Sequence, residues 1–384
     1  MAGHTLSYAF AGTGGCGALS GAGRNTNRTA RTDNGVTRTY CYDHADRLTS
    51  STDPAVGSPT YDGHGNTTSL AGQSLGWDGA DRHLLSVAGP SVVTYTRDAT
   101  DRIVARSEEG LPTTRYGYAG PGDSPAFTTD ALGGSVEPTI GLVGGVTLTR
   151  RATGDVWSYP DVHGDVMAVA DASGAKVGPT HHWGPDGVAL SALPDNSAGN
   201  LDYGWLGSHL RPLEHAPGLA TMELGARPYV PGIGRFLSVD PIEGGSANDY
   251  DYVNGDPVNN LDLTGLASEK ALNGAEEEAL GRKAAGESYD RKAYNSARQK
   301  QKYNEKVRGE RNKQKRQSNF SATPTTRGAY LAQQESARAA GRSPNYGRAA
   351  GAAGFGGFLI GVWWGAKWLS PACGPAAPVC AIAL

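Results

Sequence analysis

The chain has 384 residues, of which 55 are glycine and 22 are proline. This density of turn-forming residues excludes a helical bundle or coiled coil over most of the chain, and the lack of a Gly-X-Y period excludes collagen. The net charge of -3 hides a reversal: residues 1–266 carry 16 Lys and Arg against 29 Asp and Glu, whereas residues 267–384 carry 19 against 9. Such a reversal predicts two modules with different partners and a boundary near residue 266.

A short repeat occupies the first hundred residues. Each unit has an aspartate, usually after an aromatic residue, then a turn rich in Gly, Asp or Asn and a short apolar or Thr-rich stretch; the aspartates are Asp43, Asp62, Asp78 and Asp98. This pattern predicts β-hairpins, which must stack into a larger sheet because a single hairpin cannot bury a face. Further strands are predicted at 92–96, 114–118, 140–149 and 166–170.

The composition changes after residue 266. Residues 282–316 hold 13 Lys and Arg against four acidic residues and few apolar ones, which indicates a solvated helix or disorder. Residues 318–326 have the composition of a linker. Residues 349–369 are apolar apart from one lysine and long enough to cross a membrane as a helix, or to be buried inside the protein. The predicted fold is therefore mainly β, followed by a mostly helical or disordered basic tail with one apolar helix.

Other features carry weaker signals. The cysteines have no metal-binding spacing, and two disulfides or two free pairs are both open; they are Cys16, Cys41, Cys373 and Cys380. His181 and His182 lack a third ligand, so we expect neither a metal nor another cofactor. The N-terminus has no secretory signal pattern. Tyrosines interleave with the basic run 282–316, but the tail has no recognisable nuclease constellation, so nucleic acid is the weaker prediction there.

Three stretches carry a family resemblance. Residues 42–48 read YDHADRL, residues 163–174 begin HGDV and end DASG, and residues 226–241 read ARPYVPGIGRFLSVDP, followed by NDYDYVNGDPVNN at 248–260 and LDLTGL at 261–266. They resemble the tyrosine-aspartate (YD) repeats and the repeat-associated core of bacterial Rhs proteins, teneurins and insecticidal toxin-complex C components. The resemblance covers roughly residues 25–266 and implies a C-terminal portion of such a protein.

The resemblance implies a specific function. In that family the repeats form a spiralling β shell, and the core closes it and acts as an aspartyl self-protease that frees a variable C-terminal region. Carried over by position, Asp240 and Asp262 are the two carboxylates, Arg227 is their charge partner, and cleavage falls between Leu266 and Ala267. Two neighbouring carboxylates suit this chemistry, because they share a proton and so provide one acid and one base.

The resemblance also divides the chain. Residues 1–160 are expected to be the shell segment, 161–266 the core, and 267–384 the variable effector region. The implied partners are the rest of the shell or its delivery module and a cognate immunity protein, with membrane contact through 349–369. The implied location is extracellular or at the cell surface after export. Two residues depart from the family pattern: Glu243 replaces a glycine and Leu263 replaces a proline.

One alternative of a different class stays open. In it, the repeats are a non-catalytic cell-surface scaffold for carbohydrate or protein binding, the two aspartates are ordinary turn residues, and the tail is a membrane anchor. Whether the peptide bond between residues 266 and 267 is cut distinguishes the two hypotheses.

Overall fold

The computed structural model describes residues 4–10, 22–54, 56–120, 122–130, 134–197, 199–242, 246–266, 268–270, 279–280, 282–283 and 286–322. The chain divides into two units, Met1–Arg311 and Asn312–Leu384. Of the second unit, the described part is the end of one helix. The remaining description concerns the first unit.

Two antiparallel sheets contain the first seventeen strands, and together they are called the wall. The first has four strands in chain order: β1 (Leu6–Ala9), β2 (Ala30–Asp33), β3 (Val36–Tyr42) and β4 (Leu48–Ser51). The second has thirteen, also in chain order: β5 (Thr60–Tyr61), β6 (Thr67–Leu70), β7 (Gln73–Trp77), β8 (His83–Ala88), β9 (Ser91–Arg97), β10 (Ile103–Glu108), β11 (Thr114–Gly117), β12 (Phe127–Asp130), β13 (Val136–Gly141), β14 (Thr147–Arg151), β15 (Gly154–Pro160), β16 (Val166–Ala170) and β17 (Lys176–Val177). Strands were therefore predicted correctly at 92–96, 114–118, 140–149 and 166–170.

A smaller sheet, called the inner sheet, packs against the wall. Its five antiparallel strands are β18 (Leu201–Tyr203), β19 (Pro212–Glu214), β20 (Thr221–Leu224), β21 (Arg227–Val230) and β22 (Arg235–Phe236). A two-stranded pair follows, β23 (Asn260–Leu261) with β24 (Glu269–Lys270). Short 3-10 turns lie at Ala22–Asn25, Val143–Gly145, Gly207–His209 and Val253–Gly255. The mainly antiparallel β fold predicted from the repeats is confirmed.

The repeat aspartates build the turns between strands. In the turn after β9, Asp98 Oδ1 accepts the backbone N–H of Thr100 at 2.8 Å and of Arg102 at 3.2 Å, and Asp98 Oδ2 accepts from Arg102 Nε at 2.8 Å. Asp43 and Asp78 make the same bonds to the residues two and four positions later. Each aspartate thus satisfies backbone donors that the turn would otherwise leave unpaired.

Apolar clusters join the wall to the inner segment. Ala88, Val93, Tyr95 and Ile103 of the wall pack with Ala216 and Leu219, which connect β19 to β20. A second cluster joins strands β3 to β7 with the β21–β22 hairpin; its members include Tyr40, Tyr42, Leu48, Val230 and Leu237. The inner sheet has its own aromatic core of Trp205, Tyr229, Phe236 and Tyr252. The segment that holds the inner sheet is therefore packed against the wall through apolar side chains.

Buried charged residues complete that interface. Glu223 on β20 lies 2.9 Å from His83 Nδ1 on β8 and also contacts Arg97 on β9. Tyr95 donates from its hydroxyl to Glu214 on β19 at 2.9 Å. These side chains are almost fully buried, so each charge has to be paired where it lies.

The tail contains a long polar helix, α1 (Arg291–Ala322). Asp290 caps it by accepting the N–H groups of Lys292 and Ala293 at 2.7 and 3.1 Å. The helix ends within the segment 318–326 that composition indicated as a linker. Within the described residues no helix is long and apolar enough to span a membrane, and the apolar segment 349–369 lies outside them.

Cys41 is disulfide-bonded. The other three cysteines lie outside the described residues.

Candidate active site

Arg227 is the centre of the site. It is the first residue of β21 and is 1% exposed. Its Nε donates to the Gly265 carbonyl at 2.5 Å, its Nη1 donates to the Asp249 carbonyl at 3.1 Å, and its guanidinium carbon lies 3.7 Å from the centre of the Phe236 ring. These contacts fix the plane of the guanidinium and leave Nη2 for the two carboxylates.

Asp240 and Asp262 both lie close to Nη2 of Arg227. Asp240 Oδ2 accepts a hydrogen bond from Arg227 Nη2 at 3.0 Å, and Asp262 Oδ2 lies 3.5 Å from the same atom. Both carboxylates are buried. The structure therefore brings together all three residues that the sequence singled out, although 22 positions separate the two aspartates along the chain.

Asp240 lies in a pocket of hydrogen-bond donors. Its Oδ1 accepts the N–H of Ile242 at 2.9 Å, and its Oδ2 also accepts from the Ser246 hydroxyl at 2.9 Å. Burial raises the pKa of Asp240 above its ordinary value, and Arg227 with these donors offsets part of that rise. Asp240 is therefore protonated at a higher pH than an exposed aspartate.

Asp262 uses the same turn chemistry as the repeats. Its Oδ1 accepts the N–H groups two and four residues later, from Thr264 at 3.3 Å and from Leu266 at 3.1 Å. In the turns of Asp43, Asp78 and Asp98 the aspartate's second oxygen pairs with an arginine at that fourth position, and in the Asp62 turn it accepts from Asn66. Here the fourth position is Leu266, and the cation comes instead from Arg227 on β21. Asp262 is thus a repeat-type turn aspartate with its second oxygen facing the site.

The segment that precedes the expected cleavage point is held residue by residue. The Thr264 carbonyl accepts from the Ala226 N–H at 2.9 Å, the Gly265 carbonyl accepts from Arg227 Nε, and the Leu266 N–H donates to Asp262. Leu266 is buried, and Ala267 lies outside the described residues. Residues 264–266 are therefore immobilised beside the two carboxylates.

Gly225 permits this close approach. Its φ is +62°, and a Cβ at this position would lie 2.5 Å from the Thr264 carbonyl oxygen. A side chain here would push the 264–266 segment away from the site.

The two departures from the family pattern have different outcomes. Glu243 lies outside the described residues. Leu263 is partly buried and packs against the aromatic core of the inner sheet. The turn at Asp262 forms without a proline because the Asp262 carboxylate holds it.

Some contributors carried no sequence signal. Ser246 and the Asp249 carbonyl follow the first aspartate and close around Asp240 and Arg227. Only the length of the motif after residue 240 hinted at such a loop. Conversely, His181 donates from Nδ1 to the Ala192 carbonyl at 2.8 Å and is a structural residue. In the part of the chain that the structure describes, no group of His, Cys, Asp and Glu side chains could hold a metal ion.

The fold and the site together define a wall of antiparallel hairpins, closed by an inner sheet that carries a buried Asp–Arg–Asp cluster. No family model matches the chain. The curated relatives it matches include the tRNA3(Ser)-specific nuclease WapA of Bacillus spizizenii and the tRNA nuclease WapA of Bacillus subtilis strain 168. Each is 27% identical over 256 residues, which cover 63% of this chain and 10% of the relative. The chain thus spans about a tenth of the length of these relatives.

Solved structures show a similar fold. A chain in the crystal structure of TcdB2-TccC3-Cdc42 matches with a TM-score of 0.50 at 19% identity, over 68% of this chain and 13% of that one. At this identity the likeness concerns the fold alone. It agrees with the stacked antiparallel hairpins that the repeats predicted.

Proposed function

We propose that the chain is the C-terminal part of an Rhs-type toxin, in which residues 1–266 form a β shell and a self-cleaving core. The core would cut once, between Leu266 and Ala267, and release the C-terminal region. The observation that carries this proposal is the placement of Asp240 and Asp262 on one nitrogen of Arg227, beside a segment that ends at Leu266.

The arrangement suits an acid–base pair. Burial raises the pKa of Asp240, which favours its protonated form, while Asp262 faces the cation of Arg227. In the proposed reaction a water oxygen adds to the Leu266 carbonyl carbon. Asp262 takes a proton from that water, and Asp240 gives its proton to the carbonyl oxygen. As the C–N bond breaks, Asp262 gives the proton that it took from water to the Ala267 nitrogen, and a hydroxyl of the tetrahedral intermediate returns its proton to Asp240. The products are a carboxylic acid at Leu266, which then ionises, and an amine at Ala267.

Immobilisation of the substrate supports the same proposal. Residues 264–266 each make a hydrogen bond to the site. The peptide bond after Leu266 is therefore held beside the two aspartates, and no separate substrate-binding step is needed. One turnover then suffices, because the substrate is part of the chain.

The partners and location follow from this function. The shell would be completed by further repeats of the same kind or by a delivery module, and an immunity protein would neutralise the released region in the producing cell. Export to the outside or the cell surface fits the disulfide at Cys41, since disulfides persist in oxidising compartments.

The test is the intact mass of the purified full-length chain. Wild type is expected to give two fragments that meet at Leu266 and Ala267, and Asp240→Asn and Asp262→Asn are expected to give one uncut chain. Asp256→Asn is the matched control, because Asp256 belongs to the same loop and hydrogen-bonds Asn259 and Asn260 rather than Arg227. An uncut wild type, or cleavage that survives in both aspartate variants, would contradict the proposal and leave the scaffold reading in place.

A further inference from the structure

Arg211 is a buried arginine whose charge is not matched. It lies just before β19, between Leu210 and Pro212, and is 5% exposed. Among the described residues its one hydrogen bond runs from Nη1 to the Asp123 carbonyl at 3.2 Å, and its Nε has no partner. No carboxylate in the described part of the chain forms an ion pair with it.

Most other buried arginines in the described residues contact a carboxylate directly: Arg28 with Asp186, Arg31 with Asp33, Arg97 with Glu223, Arg106 with Glu214, and Arg227 with Asp240. Arg235 has no ion pair there but donates from both terminal nitrogens, to Asn27 Oδ1 and to the Asp46 carbonyl. Burial of a guanidinium without such a partner is unfavourable. Consistent with this, burial lowers the pKa of Arg211, and only the more distant charges of residues such as Asp123 and Asp262 oppose the change.

The side chain lines a small cavity. Its walls include Tyr116, Tyr118, Tyr203 and Gly225, and its volume is about 30 Å³. Three other charged residues also line it: Arg102, Asp123 and Glu223. Arg102 is paired with Asp98, and Glu223 with Arg97 and His83, so Arg211 is the lining cation without an ion pair in the described chain and Asp123 is the lining carboxylate that opposes an anion. A space of this size accepts one or two waters or a small polar group such as a carboxylate. The aromatic walls keep the space partly dry, which strengthens attraction between Arg211 and any anion inside it.

The cavity adjoins the segment that ends at Leu266. Gly225 forms part of its wall, and the Thr264 carbonyl packs directly on Gly225. Leu266 follows two residues later. Cleavage would add a negative charge here, the new C-terminal carboxylate of Leu266. Arg227 is already shared by Asp240 and Asp262, so the new carboxylate would need a second cation.

We propose that the Arg211 cavity binds a carboxylate. The favoured source is the C-terminal carboxylate of Leu266, an assignment that rests on the proposed self-cleavage; the other source is a small free carboxylate from solution. Bound to Arg211, the new terminus is held away from the Ala267 amine, which opposes re-formation of the peptide bond. Arg211 is in this sense a positioning residue for the product.

Acetate titration of the full-length chain tests the proposal, with unfolding temperature as the readout and sodium chloride at equal ionic strength as the control. The uncut Asp240→Asn protein has an open cavity, so acetate is expected to raise its midpoint by about 2–4 °C and then saturate. Arg211→Met in the same background should abolish the rise, whereas Arg211→Lys should retain part of it. If Arg211→Met does not fold, the role of Arg211 is tested by the acetate shift of Arg211→Lys, which should be smaller than that of its Asp240→Asn parent.

The cleaved wild type distinguishes the two sources. If the Leu266 carboxylate fills the cavity, acetate leaves the midpoint of the cleaved wild type unchanged. If the cavity takes only free carboxylates, cleaved and uncut proteins respond equally. The absence of any saturable acetate effect in the uncut protein would overturn the proposal. Should wild type fail to cleave, the self-protease proposal fails, yet the acetate response still tests the anion site by itself.

Discussion

Arg106 on β10 directs Nε and Nη2 at the two carboxylate oxygens of Glu214 on β19, and both distances are 2.7 Å. The paired geometry fastens the wall to the inner sheet at a point where both side chains are buried. The inner sheet in turn carries Arg227, so this interface contributes to the position of the candidate active site.

Removal of the cation from this pair should destabilise the protein strongly. Arg106→Met leaves Glu214 and Glu108 buried without their charge partner, and we expect a loss of about 3–5 kcal/mol in the free energy of unfolding. Urea denaturation measures it. Arg115→Met on the adjacent strand is the control, since Arg115 is exposed and its loss should change stability by less than about 0.5 kcal/mol. Equal effects in the two variants would show that the pair does not fasten the sheets.

The turn aspartates should contribute to stability individually. Asp98→Ala removes acceptors for two backbone N–H groups and for Arg102, and a loss of about 1–2 kcal/mol is expected. Thermal unfolding is the measurement, with the exposed Glu109→Ala as control. A loss no larger than that of the control would mean that water replaces the carboxylate in this turn.

Asp251 should make stability depend on pH. Its carboxyl is buried, accepts from the Thr26 hydroxyl at 2.8 Å, and has a pKa raised to about 7, chiefly by burial. The folded protein keeps this proton up to about pH 7, whereas the unfolded chain releases it near pH 4. The contribution of Asp251 to stability is therefore present below pH 4 and is lost as the pH rises to 7.

Asp251→Asn removes that dependence. Relative to wild type, the variant should gain roughly 2–4 kcal/mol between pH 4 and pH 8. Urea denaturation at several pH values provides the comparison. Parallel curves for the two proteins would show that Asp251 does not titrate in this range.

A side chain at Gly225 should impair cleavage more than stability explains. Gly225→Ala places a Cβ 2.5 Å from the Thr264 oxygen, and a displacement of this size is expected to slow self-cleavage about 100-fold. Gly72→Ala is the matched control: Gly72 also has a left-handed φ, +76°, but has nothing within 4 Å of the new Cβ. Fragment formation is followed by mass spectrometry after cell-free synthesis. Similar cleavage in both variants would exclude a role for the contact at Thr264.

Local sequence patterns were sufficient to predict the hairpins of the wall. The Asp-turn repeats and the β-branched strands around them depend on residues within a few positions of each other, as in β9 and the Asp98 turn. The grouping of Asp240, Asp262 and Arg227 was implied by the family resemblance of their motifs rather than by a local pattern. Asp262 had in addition the local signature of a repeat turn, which the sequence reading did not use.

The inner sheet and the buried charge network could not be anticipated in this way. Strands β18 to β21 are three or four residues long and are buried on both faces apart from Pro212, so they lack the alternation that marks a half-exposed strand. Arg106 and Glu214 are 108 positions apart, and Arg97 and Glu223 are 126 apart. Nothing near Arg211 in the sequence shows that the fold buries it without a carboxylate.

The order of strands in the wall has a consequence for biogenesis. Because each strand of the thirteen-stranded sheet pairs only with its neighbours in the chain, the wall can grow hairpin by hairpin as the polypeptide emerges, with no need for a distant segment. Until residues 201–236 are synthesised, the wall exposes both the charged side chain of Arg106, which later pairs with Glu214, and the apolar side chains of Val93 and Tyr95, which later pack on Ala216 and Leu219. The candidate active site needs Arg227, Asp240 and Asp262, so it is completed only after every strand of the wall has been synthesised.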